Sequence, residues 1–143
     1  MGKFQSTKLF DGFSCVFRQW KAKNTHCRFM HGYGVSFRVW FEGSLDERNW
    51  VWDFGGMKRA QTKIDGMSPK AWMDYMFDHT ILVAKDDPMV NLINDLEHNQ
   101  IAQVRVVEAT GAEKFAEFIF NKLNKFVQTE TDGRVRVAKV EFM

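Results

Sequence analysis

Two short segments of the chain carry the side chains that can do chemistry at neutral pH. One spans 26–33 (HCRFMHGY) and the other is the pair Asp78 and His79. Within the first, Cys27 is flanked by His26 and Arg28, and positive charge beside a thiol favours the thiolate, which can attack a carbon or carry a proton. The alternative is a buried thiol that only fills space, and the spacing alone leaves both open.

The pair Asp78 and His79 is the second candidate. A carboxylate beside an imidazole can fix the tautomer of the ring and raise its basicity, as acid–base catalysis requires. The pair closes a predicted helix, however, and adjacent residues on a helix do not face one another. The dipeptide alone therefore does not distinguish a catalytic pair from two surface residues.

A predicted hairpin holds the first segment. Residues 7–20 alternate with apolar side chains on both faces, which is typical of a strand covered on both sides, and 35–45 alternate clearly as a second strand. These strands are predicted to pair antiparallel. The connection at 21–34 is long for a hairpin, and loops of that length in compact domains are usually functional.

The remaining pattern is mainly helical. Helices are predicted at 57–64, after Ser68-Pro69 and after Asp87-Pro88, and Thr110 with Glu113 forms a predicted capping box before a strongly amphipathic helix. Short strands are predicted at 103–107 and 135–140. The order β-β-α-α-β-α-β predicts an α+β fold with antiparallel pairing.

Composition excludes several classes of protein. The chain has 143 residues, 45% of them hydrophobic, and a net charge of +2, which indicates one domain over 1–143 and gives no field to attract nucleic acid. No apolar run is long enough to cross a membrane or to form a secretory signal. With only two cysteines, a cytoplasmic protein is expected. The 14 Phe and 5 Trp suggest that part of the surface faces another subunit.

With their flanks, the two segments resemble the 6-pyruvoyltetrahydropterin synthase / 6-carboxytetrahydropterin synthase family. The matching stretches are Cys27-x3-His31-Gly32-Tyr33, LDERNWVWDF at 45–54 and FDHTIL at 77–82. There the family has Cys-x3-His-Gly-His, a Gly-Trp segment that ends in Asp-Phe, and Leu-Asp-His-His. The resemblance runs from about Phe10 to the end of the chain.

The resemblance implies a fold, an assembly and an activity. The fold is the tunnelling fold, a four-stranded antiparallel sheet with helices on one face, in which three subunits close a β-barrel and two trimers stack. The activity is lyase chemistry on 7,8-dihydroneopterin triphosphate or a related reduced pterin, in biopterin or queuosine biosynthesis. The family's catalytic Cys matches Cys27, and its Asp-His pair matches Asp78 and His79. A catalytically weak pterin-binding or structural paralogue is the alternative.

The family's zinc site is depleted in this sequence. Of the three histidines that hold zinc in the family, only His31 is present, because Phe17 and Tyr33 stand at the other two positions. A displaced site of Cys15 and His31, with Cys27 or His26 as third ligand, is conceivable but must meet the strict geometry of zinc. The expectation is a pocket without a metal cofactor, filled by Phe17 and Tyr33.

The pterin anchor departs from the family as well. The family binds the pterin ring through a Glu of the last strand, and alignment of residues 140–143 puts that Glu directly after Met143, so the chain is expected to stop short of it. Glu141 is the near candidate for substrate binding, although strand alternation places it on the other face. Glu113 also matches a family position, and its capping-box role is the structural alternative.

Overall fold

Five strands and four α-helices follow one another in the computed structural model, which describes residues 3–143. Their bounds are β1 Phe4–Phe17, β2 His31–Gly43, α1 Gly56–Arg59, α2 Pro69–Phe77, β3 Thr80–Ala84, α3 Val90–His98, β4 Val104–Val107, α4 Ala112–Glu130 and β5 Val135–Phe142. A 3₁₀ helix, His26–Arg28, lies in the loop between β1 and β2. The α+β class is confirmed.

The sheet has the strand order β4-β3-β1-β2-β5. β1 pairs antiparallel with β2, as the sequence predicts for this hairpin, and β2 pairs antiparallel with β5. β3 pairs parallel with both β1 and β4. The expected four-stranded antiparallel sheet is therefore corrected to a five-stranded mixed sheet. The additional strand, β3, is the apolar run TILVA, too short for its periodicity to separate a strand from a buried helical segment.

A bulge in β1 explains why apolar residues stand at both even and odd positions of this strand. The register with β2 shifts between Phe10 and Phe13, where Gly12 takes a left-handed backbone with φ of 84°. Phe10 and Phe13 would lie on opposite faces of a regular strand, yet both are buried in the main core. The prediction of a strand covered on both sides is thus wrong for β1, because one extra residue brings both apolar sets to one face.

The main core lies between one face of the sheet and the helices α1, α2 and α4. The predicted apolar stripe of α4 is confirmed, since Phe115, Ile119, Leu123 and Phe126 are buried there. Eight of the 14 Phe are buried, so much of the aromatic surplus builds this core.

A second, smaller core packs α3 against β3 and β4. It contains Val83, Ile93 and Val104, whereas Leu82 belongs to the main core. Because neighbouring residues of a strand point to opposite faces, α3 covers the face opposite to α4. Within residues 3–143, none of the helices combines the length and apolarity that crossing a bilayer requires.

The structure confirms one predicted helix start and contradicts another. Ser68 is the N-cap of α2, and its hydroxyl accepts a hydrogen bond from the Ala71 amide at 3.2 Å. The capping box is wrong, because α4 begins after Gly111 and the Thr110 hydroxyl instead donates to the Arg18 carbonyl at 2.6 Å. The helix predicted at 57–64 is only the four-residue α1, since Ala60 is extended.

Gly43, at the end of β2, is expected to tolerate no side chain. A Cβ at this position would overlap the backbone carbonyl oxygen of Arg134 and lie 3.2 Å from the Cα of Val135. We therefore expect Gly43→Ala to lower the free energy of unfolding by about 1–3 kcal/mol, because backbone atoms cannot move aside as a flexible side chain can. Urea denaturation measures the change. Gly34→Ala, in the same strand with no atom within 4 Å of an added Cβ, is the control, and an equal loss there would contradict the steric argument.

Candidate active site

The paired ends of β1 and β2 bring the depleted zinc positions together. Phe17 lies opposite His31, and Cys15 lies opposite Tyr33. Directly opposed residues of an antiparallel pair project to the same side of the sheet, so these four side chains share one face.

An aromatic stack occupies this face. The rings of Phe17 and Tyr33 lie nearly parallel, with centroids 4.1 Å apart, and Phe115 of α4 meets Phe17 edge-on at 4.8 Å. The imidazole of His31 lies 4.4 Å from the Tyr33 ring, and its Nδ1 donates to the Phe29 carbonyl at 3.1 Å, which leaves Nε2 as the nitrogen available to a ligand. Phe17 is 3% exposed, so its ring is part of the core.

The residues present do not fit a zinc ion. Phe17 and Tyr33 offer packed rings where imidazoles would be needed. Burial raises the pKa of the Cys15 thiol to about 11, which opposes the thiolate form that a zinc ligand takes. Nor is the displaced set assembled, because no three His, Cys, Asp or Glu side chains among residues 3–143 are grouped to hold a metal.

Cys27 lies in the 3₁₀ helix between β1 and β2. The Thr25 hydroxyl caps this helix by accepting from the Cys27 amide at 3.1 Å, and the Cys27 carbonyl accepts from the Gln19 amide at 2.8 Å. The pKa of Tyr33 is raised, first by burial and then by the negative charge that the thiolates of Cys27 and Cys15 would carry.

The two thiols should differ sharply in reactivity. Cys27 is partly exposed, whereas Cys15 is 2% exposed, and with a pKa of about 11 only about one Cys15 thiol in a thousand is ionised at pH 8. We expect iodoacetamide to label the folded protein once per chain, on Cys27, as peptide mass spectrometry would show. Labelling of Cys15 at a comparable rate in folded protein would contradict this, and the denatured chain, labelled at both positions, is the control.

Asp78 and His79 lie at the junction of α2 and β3, beside β1. Asp78 Oδ2 is 3.1 Å from His79 Nδ1, and Asp78 Oδ1 accepts from the Ser14 amide at 3.2 Å. His79 has a left-handed backbone with φ of 59°, and its own amide donates to the Ser14 carbonyl at 2.6 Å. This turn lets the two adjacent side chains face each other, which a continuing helix would prevent. At this distance Asp78 can pair with the imidazole of His79 once the ring is protonated.

The catalytic candidates thus form two groups. Cys27 lies in the loop between β1 and β2, whereas Asp78 and His79 lie at the start of β3, on the other side of β1 from β2. Within the part of the chain that the structure describes, no hydrogen bond or ion pair joins Cys27 to this pair.

The two glutamates lie elsewhere. Glu141 is exposed on β5, opposite Arg38 of β2, while its neighbour Phe142 packs on the core face against Phe37. Glu141 therefore points away from the face that holds Tyr33 and His31, as strand alternation predicts. Glu113 is exposed in the first turn of α4.

Sequence reasoning missed the residues that fix the Cys27 loop. Arg18 forms two hydrogen bonds with Asp87, which lowers the pKa of the Asp87 carboxyl. Asp87-Pro88 signals only a helix start in the sequence, and nothing there pairs it with a residue 69 positions away. Buried acidic residues are rarely unpaired, but the partner is visible only in three dimensions.

The family model described as 6-pyruvoyl tetrahydropterin synthase matches residues 7–143, nearly the whole chain. The chain belongs to this family. Among curated proteins no match is found.

Solved structures show the same fold in this synthase family. The chain is similar to the 6-pyruvoyl tetrahydropterin synthase of Caenorhabditis elegans, with 17% identity over 97% of this chain and 96% of that one, and a TM-score of 0.57. A catalytic-residue mutant of the Plasmodium vivax 6-pyruvoyltetrahydropterin synthase matches at 12% identity over 98% of both chains, with a TM-score of 0.56. An uncharacterized protein of Wolinella succinogenes superimposes with a TM-score of 0.80, at 21% identity over 100% of this chain and 93% of that one.

Proposed function

We propose that this member of the 6-pyruvoyl tetrahydropterin synthase family is a lyase that acts on 7,8-dihydroneopterin triphosphate or a related reduced pterin. The observation that carries the proposal is the pairing of Asp78 with His79 at 3.1 Å, in a chain that also holds a partly exposed Cys27. Family membership supplies the substrate class. A cytoplasmic enzyme of biopterin or queuosine biosynthesis fits this proposal.

The residues support a cleavage that depends on acid–base chemistry. The Cys27 thiolate, as base, removes the proton of a side-chain hydroxyl. The alkoxide becomes the carbonyl of a released aldehyde as the adjacent carbon–carbon bond breaks, and the electron pair of that bond moves onto the carbon attached to the reduced ring. His79 in its protonated form, oriented by Asp78, returns a proton to the carbon. Protons and electrons balance without a redox partner, and the donor set described above does not provide the family's zinc ligands, so no step is assigned to that metal.

The proposed enzyme assembles into a trimer or a pair of trimers. The outer face of β1, β2 and β5, opposite the main core, carries Trp40 and Leu9 together with charged residues, and it is available to contact other subunits. Such an assembly could also bring Cys27 of one subunit toward the Asp78–His79 pair of another. Sedimentation of the purified chain tests this part, and a strict monomer in dilute solution would contradict it.

A second candidate is a pterin-binding or structural paralogue without turnover. The observation that favours it is the Phe17–Tyr33 stack, which fills the space of the expected metal with packed rings. The paralogue would keep the assembly and an aromatic surface for a pterin ring.

Incubation with 7,8-dihydroneopterin triphosphate, with and without added zinc, separates the two candidates. The enzyme proposal expects product by chromatography in both conditions, at a similar rate, with a cleaved side chain. Pterin binding by fluorescence without product in either condition would establish the paralogue. If product forms only with zinc, the protein is a lyase, but the proposal that it works without the metal is wrong.

A further inference from the structure

A partly buried ion pair joins the end of β1 to the turn between β3 and α3. Arg18 Nε donates to Asp87 Oδ2 at 2.8 Å, and Arg18 Nη2 donates to Asp87 Oδ1 at 2.6 Å. Asp87 is 2% exposed and also accepts from the Met89 amide at 2.9 Å. Both carboxylate oxygens are thus engaged, in the two-point geometry that a guanidinium offers and an ammonium does not.

Arg18 is also bonded to the loop that carries Cys27. Its Nη1 donates to the Arg28 carbonyl at 3.3 Å, and the amide of the next residue, Gln19, donates to the Cys27 carbonyl at 2.8 Å. Two successive carbonyls, that of Cys27 and that of the residue after it, are therefore held from the end of β1. The Arg18 carbonyl in turn accepts from the Thr110 hydroxyl at 2.6 Å, which ties the same point to the start of α4.

The turn between β3 and α3 also contacts the residues that lead from β1 into the Cys27 loop, here called the stem of the loop. Asp86 accepts from Trp20 Nε1 at 3.2 Å and lies 3.3 Å from Lys21 Nζ. By contrast, the 3₁₀ helix that contains Cys27 has no buried residue of its own. Apolar packing therefore does little to fix this helix, and its position depends on the polar contacts at the stem.

We propose that Arg18, held by Asp87, is a positioning residue for the Cys27 thiol. The inference rests on the proposed function only in taking Cys27 as the reacting group. The Asp87 carboxylate neutralises the Arg18 charge and fixes the plane of the guanidinium, and the remaining Nη1 donor then sets the backbone at Arg28. Proton transfer depends steeply on the position of the base, and a displacement of about 1 Å can cost about 100-fold in rate.

The test removes both charges together. Arg18→Met with Asp87→Asn avoids a buried unpaired charge and keeps an oxygen for the Met89 amide, so the folded state should survive. We expect iodoacetamide to modify Cys27 of this double variant at a rate changed at least about threefold, with a shifted pH profile, and kcat to fall about 10- to 100-fold with KM nearly unchanged. Glu108→Gln, which breaks the exposed Lys85–Glu108 pair beside the same turn, is the matched control. It should leave the rate and pH profile of Cys27 alkylation and kcat unchanged.

An unaltered alkylation rate and pH profile in the double variant would overturn the proposal, whether or not the wild type turns over a pterin. An altered profile in a protein that turns over no pterin would retain the positioning role and count against the lyase. If the double variant does not fold, Arg18→Lys replaces it. A lysine can keep the charge beside Asp87 but lacks the planar fork, so the same change in Cys27 alkylation is expected, and a profile like that of the wild type would contradict the proposal.

Discussion

Replacing Cys27 by alanine is expected to abolish the proposed pterin cleavage, with kcat lowered about 10²- to 10⁴-fold, because removal of a general base typically costs that much. KM should change little, since the thiol does not hold the ring in this mechanism. The measurement is steady-state product formation from 7,8-dihydroneopterin triphosphate. Cys27→Ser is informative too, because a hydroxyl of similar size has far too high a pKa to act as the base and should be nearly as inactive.

Cys15→Ala is the matched control for this experiment. It removes the buried thiol, so stability should fall through loss of packing, while kcat stays within a few-fold of wild type. Wild-type turnover in Cys27→Ala would remove this thiol from the mechanism and leave the Asp78–His79 pair as the only acid–base candidate named above.

Restoring the two missing histidines should create a zinc-binding protein. In the double variant Phe17→His with Tyr33→His, three imidazoles would face one side of the paired strands, because Phe17 lies opposite His31 and Tyr33 follows two residues later. We expect retained zinc to rise from below about 0.1 to about 1 equivalent per chain after dialysis. Loss of the stack should lower stability without metal by up to about 3–5 kcal/mol, and zinc should raise the melting temperature again.

Phe17→Gln with Tyr33→Gln serves as the control for metal binding. It removes the same rings and introduces polar groups of similar reach that cannot take the place of imidazoles. Zinc bound equally by this control, or about one zinc retained by the wild type, would contradict the view that Phe17 and Tyr33 are the reason the site does not hold the metal.

Much of the fold was predictable because it follows local pattern. Apolar residues repeat with the helical period of 3.6 along α4 and with the strand period of 2 along β1 and β2, and the structure contains this helix and this hairpin. The sequence does not predict β3 as a strand, because five apolar residues carry no usable period and only the pairing with β1 and β4 defines them. The parallel pairing depends on contacts between distant segments, which local preference does not encode.

The candidate site likewise has features that the sequence predicts and features that it does not. The shared face of Phe17, His31 and Tyr33 follows from alternation, and their closeness follows from the hairpin. The sequence leaves open whether Asp78 and His79 pair, because the left-handed backbone at His79 that turns the two side chains toward each other is not encoded in the dipeptide. The link from Arg18 to Asp87 is equally hidden, since a charge near the end of a predicted strand and one at a predicted helix start give no sign that they meet.

The bulge in β1 has a consequence for comparing this chain with its relatives. Side chains of a strand repeat every two residues, so a relative without the extra residue at Asp11 or Gly12 would turn its following residues to the opposite side of the sheet. An alignment gap placed a few positions away would then assign Val16 or Arg18, and not Phe17, to the first metal-ligand position. The pairing of Phe17 with His31 does not depend on the gap, so cross-strand partners identify equivalent residues here more safely than counting along the chain.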